Sequence, residues 1–341
     1  MSKKVLVVCI ILLFVGVNTL TASKTTFDNY IVDDEGDGDF TSIQDAIDNA
    51  TEGDTIYVYS GNYSGNVLIN KSLNIIGIDE EYLTGIDTGN PIIWTGEVII
   101  DHTSSVLFSN FSLQGIPDNN KIKVESTNDS QILNCSADYI LLYYSNQITV
   151  KNCEFNTKFD YFASISLFVS LNNIISDNIC IGGGTTPNYN VGICLQVSDD
   201  NQILNNTCMA EDSINTKGLD CGIYIVTSKG NTISGNICWQ SDIGIKLEGS
   251  DNNHISGNNI KMNKNKGLYL INSDENEITQ NNFIENTKHA SFRKCKATTW
   301  NENYWDDHIS TAPKLIFGTI GPFFGLIPWF NLDKNPTTSP Y

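Results

Sequence analysis

A pattern of eight residues recurs five times in the second half of the sequence. Each copy has asparagine at its first and sixth positions and isoleucine at its third. The copies are Asn173–Cys180, Asn201–Cys208, Asn231–Cys238, Asn253–Ile260 and Asn276–Phe283. A second pattern, a glycine followed by alternating apolar residues, lies between them at Gly192–Leu195, Gly222–Ile225, Gly244–Leu247 and Gly267–Leu270.

The spacing between the two patterns is constant in one direction only. From the apolar residue after the glycine to the isoleucine of the next octet the chain takes ten residues, for example from Ile223 to Ile233. The return to the next glycine pattern takes between 12 and 20 residues. Internal periods of about 20 to 50 residues are typical of solenoids. One arm of each turn is therefore rigid, and the other tolerates insertions.

Within each pattern the apolar residues alternate, as in Ile245 and Leu247. This is the period of a β-strand, and no helical apolar period fits between the patterns. The sequence therefore predicts a chain that coils into parallel sheets, one turn per repeat. Each strand then pairs with its copy in the next turn, about 4.8 Å away.

Asparagine holds one inward position of the repeat through all the changes in period. The residues concerned are Asn178, Asn206, Asn236, Asn258 and Asn281. Stacked in register, each side-chain amide can donate to one neighbour and accept from the other, as in the asparagine ladders of cross-β structures. The alternative interpretation is a turn residue that tolerates left-handed backbone. We favour the ladder, and both can hold.

The segments Asp37–Ile47 and Glu52–Val58 resemble the opening of pectin-lyase-like right-handed β-helix proteins. The repeats, and the closing Asn303-Tyr304-Trp305, resemble NosD-type periplasmic proteins and prokaryotic cell-surface β-helix proteins. The resemblance implies an all-β, right-handed parallel β-helix solenoid of about ten turns. It says little about function, because the same coil carries enzymes and non-enzymes.

The ends of the chain are expected to differ from the solenoid. Residues 1–23 combine two lysines, an apolar run and small residues, as in a secretory signal, although an uncleaved anchor is the alternative. Residues 24–54 are predicted to form an N-terminal cap with a short amphipathic helix within Phe40–Ala50, whose start Asp39 or Thr41 could cap. Residues 55–299 form the solenoid. Residues 300–341 form an irregular capping tail over the last turn.

These features predict an extracytoplasmic protein: secreted, cell-surface or periplasmic. No membrane span is expected once the signal is removed, because the Pro- and Gly-containing segment Leu315–Phe330 suits a membrane helix poorly. The formal charge of −19, with Arg293 as the only arginine, argues against nucleic acid as a partner.

The chain lacks the catalytic patterns that enzymatic β-helix proteins would lead us to expect. The pair Asp199-Asp200 resembles part of a galacturonan hydrolase site, but no Gly-His-Gly accompanies it. Ser198 and these aspartates match other repeat positions, which favours a solvent-exposed turn. The favoured function is a non-catalytic module that binds a polysaccharide or a cell-surface protein along its side. The alternatives are a polysaccharide lyase or hydrolase, and a NosD-like accessory protein in copper-site maturation.

Ligand binding is expected where three long insertions project from one side of the solenoid, at Asn156–Ser164, Ile181–Val191 and Met209–Cys221. The polar and aromatic candidates in them are Asp160, Tyr161, Phe162, Tyr189, Glu211, Asp212, Lys217 and Asp220. Beside them lies a predicted outer column of Cys194, Tyr224, Lys246 and Tyr269, whose aromatic faces could stack on a sugar chain. The alternative is an outer face of good strand formers without a ligand.

No cofactor is expected, and two metal hypotheses are weighed. The acidic run with Asp33, Glu35 and Asp37 is a weak calcium candidate, and a solvated acidic turn is the favoured interpretation. Copper is not expected, because Cys180, Cys208 and Cys238 share an inward column that lacks an open coordination geometry. Strand neighbours are also too far apart for a relaxed disulfide, so buried thiols are predicted.

Overall fold

The computed structural model describes residues 27–79, 89–94, 96–115, 120–157, 163–182, 190–210, 218–321 and 327–341. These residues form one helix, α1 (Ile43–Asn49), and 35 strands on three faces of a coil, which we call the first, second and third sheets. The first two are joined into one 24-stranded sheet by an antiparallel pair near the C-terminus. The first sheet contains β1 (Asn29–Val32), β2 (Thr55–Tyr59), β5 (Asn74–Ile78), β8 (Leu107–Ser109), β11 (Gln131–Leu133), β14 (Thr149–Lys151), β17 (Ile174–Ser176), β20 (Gln202–Leu204), β23 (Thr232–Ser234), β26 (His254–Ser256), β29 (Glu277–Thr279), β32 (Thr299–Asn301) and β35 (Ile327–Asp333). The second contains β4 (Val67–Ile69), β7 (Val98–Asp101), β10 (Lys121–Glu125), β13 (Tyr139–Tyr143), β16 (Ala163–Phe168), β19 (Val191–Gln196), β22 (Cys221–Val226), β25 (Ile243–Glu248), β28 (Lys266–Ile271), β31 (Ala290–Arg293) and β34 (Lys314–Ile320). The third contains β3 (Asn62–Ser64), β6 (Ile92–Trp94), β9 (Ser112–Gln114), β12 (Ser136–Ala137), β15 (Glu154–Thr157), β18 (Ile179–Gly182), β21 (Thr207–Ala210), β24 (Ile237–Trp239), β27 (Asn259–Lys261), β30 (Asn282–Ile284) and β33 (Tyr304–Trp305).

Each turn of the coil contributes one strand to each sheet, and equivalent strands pair in parallel. The predicted register is confirmed: Ile223 pairs with Ile193 and Ile245, and Ile233 pairs with Ile203 and Ile255. All six isoleucines are fully buried. Stacked apolar columns therefore form one continuous core along the axis, as the constant ten-residue spacing requires.

The glycine that opens the second pattern has a steric role. A Cβ on Gly222 would lie 2.6 Å from the carbonyl oxygen of Gly244, and a Cβ on Gly192 would lie 2.6 Å from that of Gly222. Only a residue without a side chain lets successive turns approach this closely. The recurrence of glycine is therefore explained by turn-to-turn packing.

The asparagine column forms the predicted ladder. The amide nitrogen Nδ2 of Asn178 donates to Oδ1 of Asn206 at 2.9 Å, and Asn206 donates in the same way to Asn236 at 3.0 Å. The residues that adopt left-handed backbone are instead those immediately before them, such as Asp177 and Asn205, with φ of 57° and 55°. Turn formation and ladder formation are thus divided between adjacent residues.

Two further polar columns run through the core. The first asparagine of each octet forms a second ladder, in which Asn173 donates to Asn201 at 3.0 Å and Asn201 to Asn231 at 3.2 Å. A serine column passes through Ser198, whose backbone N–H donates to the hydroxyl of Ser228 at 2.9 Å. Ser198 is fully buried, so the prediction that it belongs to a solvent-exposed turn is wrong for this residue. Its hydroxyl satisfies a buried amide of the preceding turn.

The N-terminal helix closes the first turns. Ile43, Ala46 and Ile47 are buried, as the amphipathic pattern predicts. Its N-cap is Ser42, whose hydroxyl accepts from the backbone of Asp45 at 3.3 Å, and neither Asp39 nor Thr41 takes this role. The last carbonyl groups of the helix accept from the ammonium of Lys71, at 2.8 Å for both Ile47 and Ala50.

The C-terminal segment is more regular than the predicted tail. Strand β34 adds to β31 in parallel, and β35 then pairs with β34 in antiparallel orientation over seven residues. Ile316 points into the core, whereas Phe317 and Phe330 are exposed. The hairpin therefore extends the solenoid by two strands, with Ile316 packed on the core and Phe317 and Phe330 facing solvent.

The eight cysteines of the described chain are all free thiols, as predicted. Cys180, Cys208 and Cys238 stack in register and are fully buried. Burial raises the pKa of the Cys180 thiol, because a thiolate would lose its hydration there. The column behaves as a row of small apolar residues. The segment 1–23, where a signal is predicted, lies outside the described residues.

Candidate functional site

The predicted outer column lies on the outer face of the second sheet. Tyr224 pairs with Cys194 on one side and with Lys246 on the other, and Lys246 pairs with Tyr269. All four side chains are half-buried. Since paired residues of parallel strands point to the same face, the four form a row along the solenoid axis.

Lys246 is the centre of a polar cluster in this row. Its ammonium lies 2.9 Å from the Glu248 carboxylate, 3.2 Å from the Tyr224 hydroxyl oxygen and 4.4 Å from the centre of the Tyr224 ring. The Tyr224 hydroxyl donates to Glu248 at 2.6 Å. Burial, reinforced by Glu248, raises the pKa of Tyr224 to about 12. Burial alone would lower the pKa of Lys246, but Glu248 and Tyr224 raise it, so the cluster stays charged and ordered near neutral pH.

Tyr269 ends the row beside a second lysine. The ammonium of Lys266 lies 3.9 Å from the centre of the Tyr269 ring, which is a cation–π contact. Burial lowers the pKa of Lys266. The ammonium therefore lies over one face of the Tyr269 ring, and this half-buried aromatic side chain remains at the surface of the sheet.

A second aromatic group on the same face was missed by the sequence analysis. Tyr143 pairs with Phe168 on neighbouring strands, with ring centres 5.4 Å apart. Tyr144 meets the Phe168 ring edge-on at 5.9 Å. The repeat markers could have revealed the pair, because Tyr143 and Phe168 each lie three residues after an isoleucine marker, at Ile140 and Ile165. From β13 to β28 the face spans five strand steps, about 24 Å.

The three insertions leave the coil from one side, because each joins the third sheet to the second. The strand ends that flank them pair across turns, Gly182 with Ala210 and Ala163 with Val191. Asp220 is described, and its carboxylate accepts from the backbone of Asn190 at 3.1 Å. The other insertion candidates lie outside the described residues and stay predictions: Asp160, Tyr161, Phe162, Tyr189, Glu211, Asp212 and Lys217.

The acidic run near the N-terminus makes local backbone contacts. Oδ1 of Asp33 accepts from the backbone of Glu35 at 2.9 Å. Asp34 accepts from the backbone of Asn62, also at 2.9 Å. Calcium binding by Asp33, Glu35 and Asp37 stays a prediction.

Metal-ligating side chains of the described chain converge at one place, which the sequence analysis did not predict. Nε2 of His289 lies 2.8 Å from Asp306 and 3.4 Å from Asp307, and Lys314 lies 2.6 Å from Asp307. His289, Asp307 and Lys314 line a cavity of about 360 Å³, together with Trp305. Because Lys314 already balances Asp307, the network is complete without a cation. It joins the last full turn to the C-terminal hairpin.

Acid is expected to weaken this network. The His289 side chain is 10% exposed, and its burial lowers its pKa, outweighing the attraction of the two carboxylates. The unfolded chain therefore binds the proton more readily, so the stability that neutral His289 contributes is present above about pH 6.5 and lost as the pH falls. We expect the melting temperature of the wild type to fall more between pH 7 and pH 5 than that of His289→Gln. Equal falls would contradict this, because the two proteins differ only at residue 289.

Comparisons with known proteins agree with this architecture. The A-module of the Azotobacter vinelandii mannuronan C-5 epimerase AlgE6 is 13% identical, with a TM-score of 0.52 over 81% of each chain. PfbA, a surface adhesin of Streptococcus pneumoniae, is 13% identical, with a TM-score of 0.51 over 77% of this chain and 81% of that one. The chain is a right-handed parallel β-helix protein. Residues 188–314 of the β-helix match the family described as periplasmic copper-binding protein (NosD), and no curated protein matches the sequence.

The name of that family suggests copper, and the potential copper ligands of the matched segment include its cysteines. Cys208 and Cys238 point into the core on successive turns, next to Ile260, and are fully buried. Within the described residues, the group whose ligand atoms converge contains one histidine and two aspartates, and no thiol. The described thiols of the matched segment therefore do not converge on a copper site, and the expectation that copper is not bound stays a prediction. The single described helix has seven residues, so none of the described helices could span a membrane.

Proposed function

We propose that this protein is an extracytoplasmic β-helix module that binds a glycan along the outer face of its second sheet. The observation that carries the proposal is the pair of aromatic groups on one rigid face, Tyr143 with Phe168 and Tyr224 with Tyr269. Rigid aromatic rings stack on the apolar faces of sugars at little entropic cost, and hydrogen-bonding groups beside them add specificity.

The polar groups between the aromatic side chains support a glycan over a plain apolar partner. Glu248 and Lys246 provide a carboxylate and an ammonium that are held by each other and by Tyr224. Such preorganised groups can exchange hydrogen bonds with hydroxyl groups of a ligand without losing side-chain entropy. The solved proteins with this fold include a surface adhesin and a mannuronan epimerase, which agrees with a role outside the cytoplasm.

Substitution of the half-buried rings on this face tests the proposal. A panel of acidic and neutral polysaccharides is first screened for binding to the wild type. For a bound polymer, Phe168→Ala and Tyr269→Ala should each weaken binding about tenfold, since each removes one stacking surface. Trp94→Ala is the matched control, because Trp94 is an exposed aromatic residue on the third sheet. Equal losses of affinity in all three variants, or no loss in any of them, would show that the polysaccharide does not bind this face.

A polysaccharide-active enzyme is the second candidate, and the cavity at His289 favours it. The cavity presents the imidazole of His289, the carboxylate of Asp307 and the ammonium of Lys314, and Asp306 pairs with the imidazole. Imidazole, carboxylate and ammonium are groups that catalyse proton transfer. The same panel is therefore assayed for released reducing ends and unsaturated products. Product that forms with the wild type and is lost with His289→Gln would establish the enzyme, and binding without product would establish the module.

A further inference from the structure

The hairpin of β34 and β35 presents an apolar face to solvent. Leu315 lies opposite Leu332 and Phe317 opposite Phe330, so these four side chains share one face of the antiparallel pair. They are between 39% and 58% exposed. The ring of Trp329 stacks on Phe330 with centres 6.1 Å apart. An exposed apolar patch of this kind marks an interaction surface on a folded protein.

Basic side chains border this patch. Arg293 on β31 pairs in parallel with Thr319 on β34 and therefore shares the face of the hairpin aromatics. Lys294 and Lys296 line the adjoining recess at the end of β34, with Asp274 as the acidic side chain there. Arg293 is the only arginine of the chain. The apolar patch thus has a cationic margin.

This margin is exceptional in an acidic protein. Residues 291–341 carry five basic and four acidic side chains, whereas the rest of the chain carries 15 and 35. Each turn of the solenoid adds about 4.8 Å, so most of the acidic charge lies more than a Debye length of about 8 Å from the hairpin. A negatively charged surface that met this end would be attracted locally and repelled by the body only weakly. The charge distribution therefore favours contact at the C-terminal end of the second sheet's outer face, where Arg293 and Thr319 continue the outward column of Ile271.

We propose that the C-terminal hairpin docks onto an anionic lipid bilayer through the outer face of β34 and β35. The aromatic and leucine side chains enter the interfacial layer, and Arg293, Lys294 and Lys296 contact the lipid headgroups. Apolar burial and attraction to anionic lipids together determine the strength of such binding.

Vesicle flotation with the full chain tests the docking. The probes are vesicles of phosphatidylcholine alone and of phosphatidylcholine with 30% phosphatidylglycerol. The wild type should bind the anionic vesicles, and Phe317→Ser/Phe330→Ser should reduce the bound fraction at least tenfold. Arg293→Gln/Lys296→Gln should abolish the preference for anionic over neutral vesicles. Raising the salt to 0.5 M should reduce wild-type binding for the same reason.

Matched substitutions elsewhere provide the controls. Leu171→Ser/Ile179→Ser removes two exposed apolar side chains far from the hairpin, and Lys229→Gln/Lys264→Gln removes two exposed charges. All variants keep residues 1–26, so any binding through the apolar run near the N-terminus is common to them. Circular dichroism confirms that each variant folds. Vesicle binding by the hairpin variants at the level of the wild type would overturn the proposal. Sedimentation showing that these variants lose self-association while they keep their vesicle binding would also overturn it.

Discussion

Replacing Asn206 with alanine should destabilise the β-helix by about 3 kcal/mol or more, although the substitution removes only one small side chain. Oδ1 of Asn206 accepts from both the backbone N–H and Nδ2 of Asn178, at 3.0 and 2.9 Å. Its Nδ2 donates to the carbonyl oxygen of Ile175 at 2.8 Å. Alanine leaves these buried groups unpaired, and each unsatisfied group costs about 1 to 3 kcal/mol. Urea unfolding followed by fluorescence measures the loss.

Two variants show whether the loss comes from the ladder. Gln202→Ala, at an exposed position of β20, should stay within about 0.5 kcal/mol of the wild type. The stability of Asn206→Cys should lie between those of the other two variants, because a thiol in this column can accept a hydrogen bond. In the natural sequence, Sγ of Cys153 accepts from the backbone N–H of Cys135 at 3.4 Å. In a solenoid each turn contacts mainly its neighbours. Amide exchange should therefore accelerate first around Asn178 and Asn236. Equal stability of Asn206→Ala and Gln202→Ala would show that the ladder contributes nothing.

The fold could be predicted from the sequence because its repeats report directly on register. The ten-residue spacing stays constant while the repeat period changes. This has one structural explanation: the same turn joins the same two strands in every coil. Ile223 and Ile233 could therefore be placed in separate stacked columns before any coordinate was known, and the structure places them there. The left-handed turn residues beside the ladder, such as Asn205, could not be separated from it, because asparagine satisfies both needs.

The direction of a side chain in a turn, and contacts outside the repeat, were predicted less well. The match of Ser198 to other repeat positions favours an exposed turn, whereas its hydroxyl is needed inside to pair a buried amide. The cluster at His289 joins residues from different elements, with Asp306 and Lys314 beyond the last octet. Such a cluster has no period, so only the packed chain reveals it.

The candidate site also combines features that the repeat predicts with features that it does not predict. Tyr224, Lys246 and Tyr269 occupy equivalent repeat positions, and their row on the outer face follows from the register. The hydrogen bond from Tyr224 to Glu248 depends on side-chain conformations that no spacing specifies. The insertion residues have no equivalents in neighbouring turns, so the repeat gives their side of the coil and nothing more.

Replacing Asp333 with alanine should release the C-terminal hairpin and cost about 5 kcal/mol or more. Asp333 is fully buried and ends the asparagine ladder. Its Oδ2 accepts from the backbone N–H and Nδ2 of Asn303 and from the indole N–H of Trp305, all at 3.0 Å. Hydrogen bonds to a charged acceptor are worth about 1.5 to 3 kcal/mol each, and alanine removes all three. Urea unfolding measures the cost, and amide exchange should accelerate in β32, β33 and β35 while β2 and β5 stay protected.

The ladder needs an acceptor at its last position, because every asparagine above passes its donors to the residue below. Asp333 provides one from outside the repeat, and so converts an open solenoid end into a closed one. Asp333→Asn keeps an acceptor oxygen without the charge and should lose less than Asp333→Ala. Lys334→Ala, at the exposed next residue, should leave exchange and stability unchanged. If Asp333→Ala instead unfolded no more readily than Lys334→Ala, the end of the solenoid would be closed by apolar packing of Trp300 and Trp305 alone.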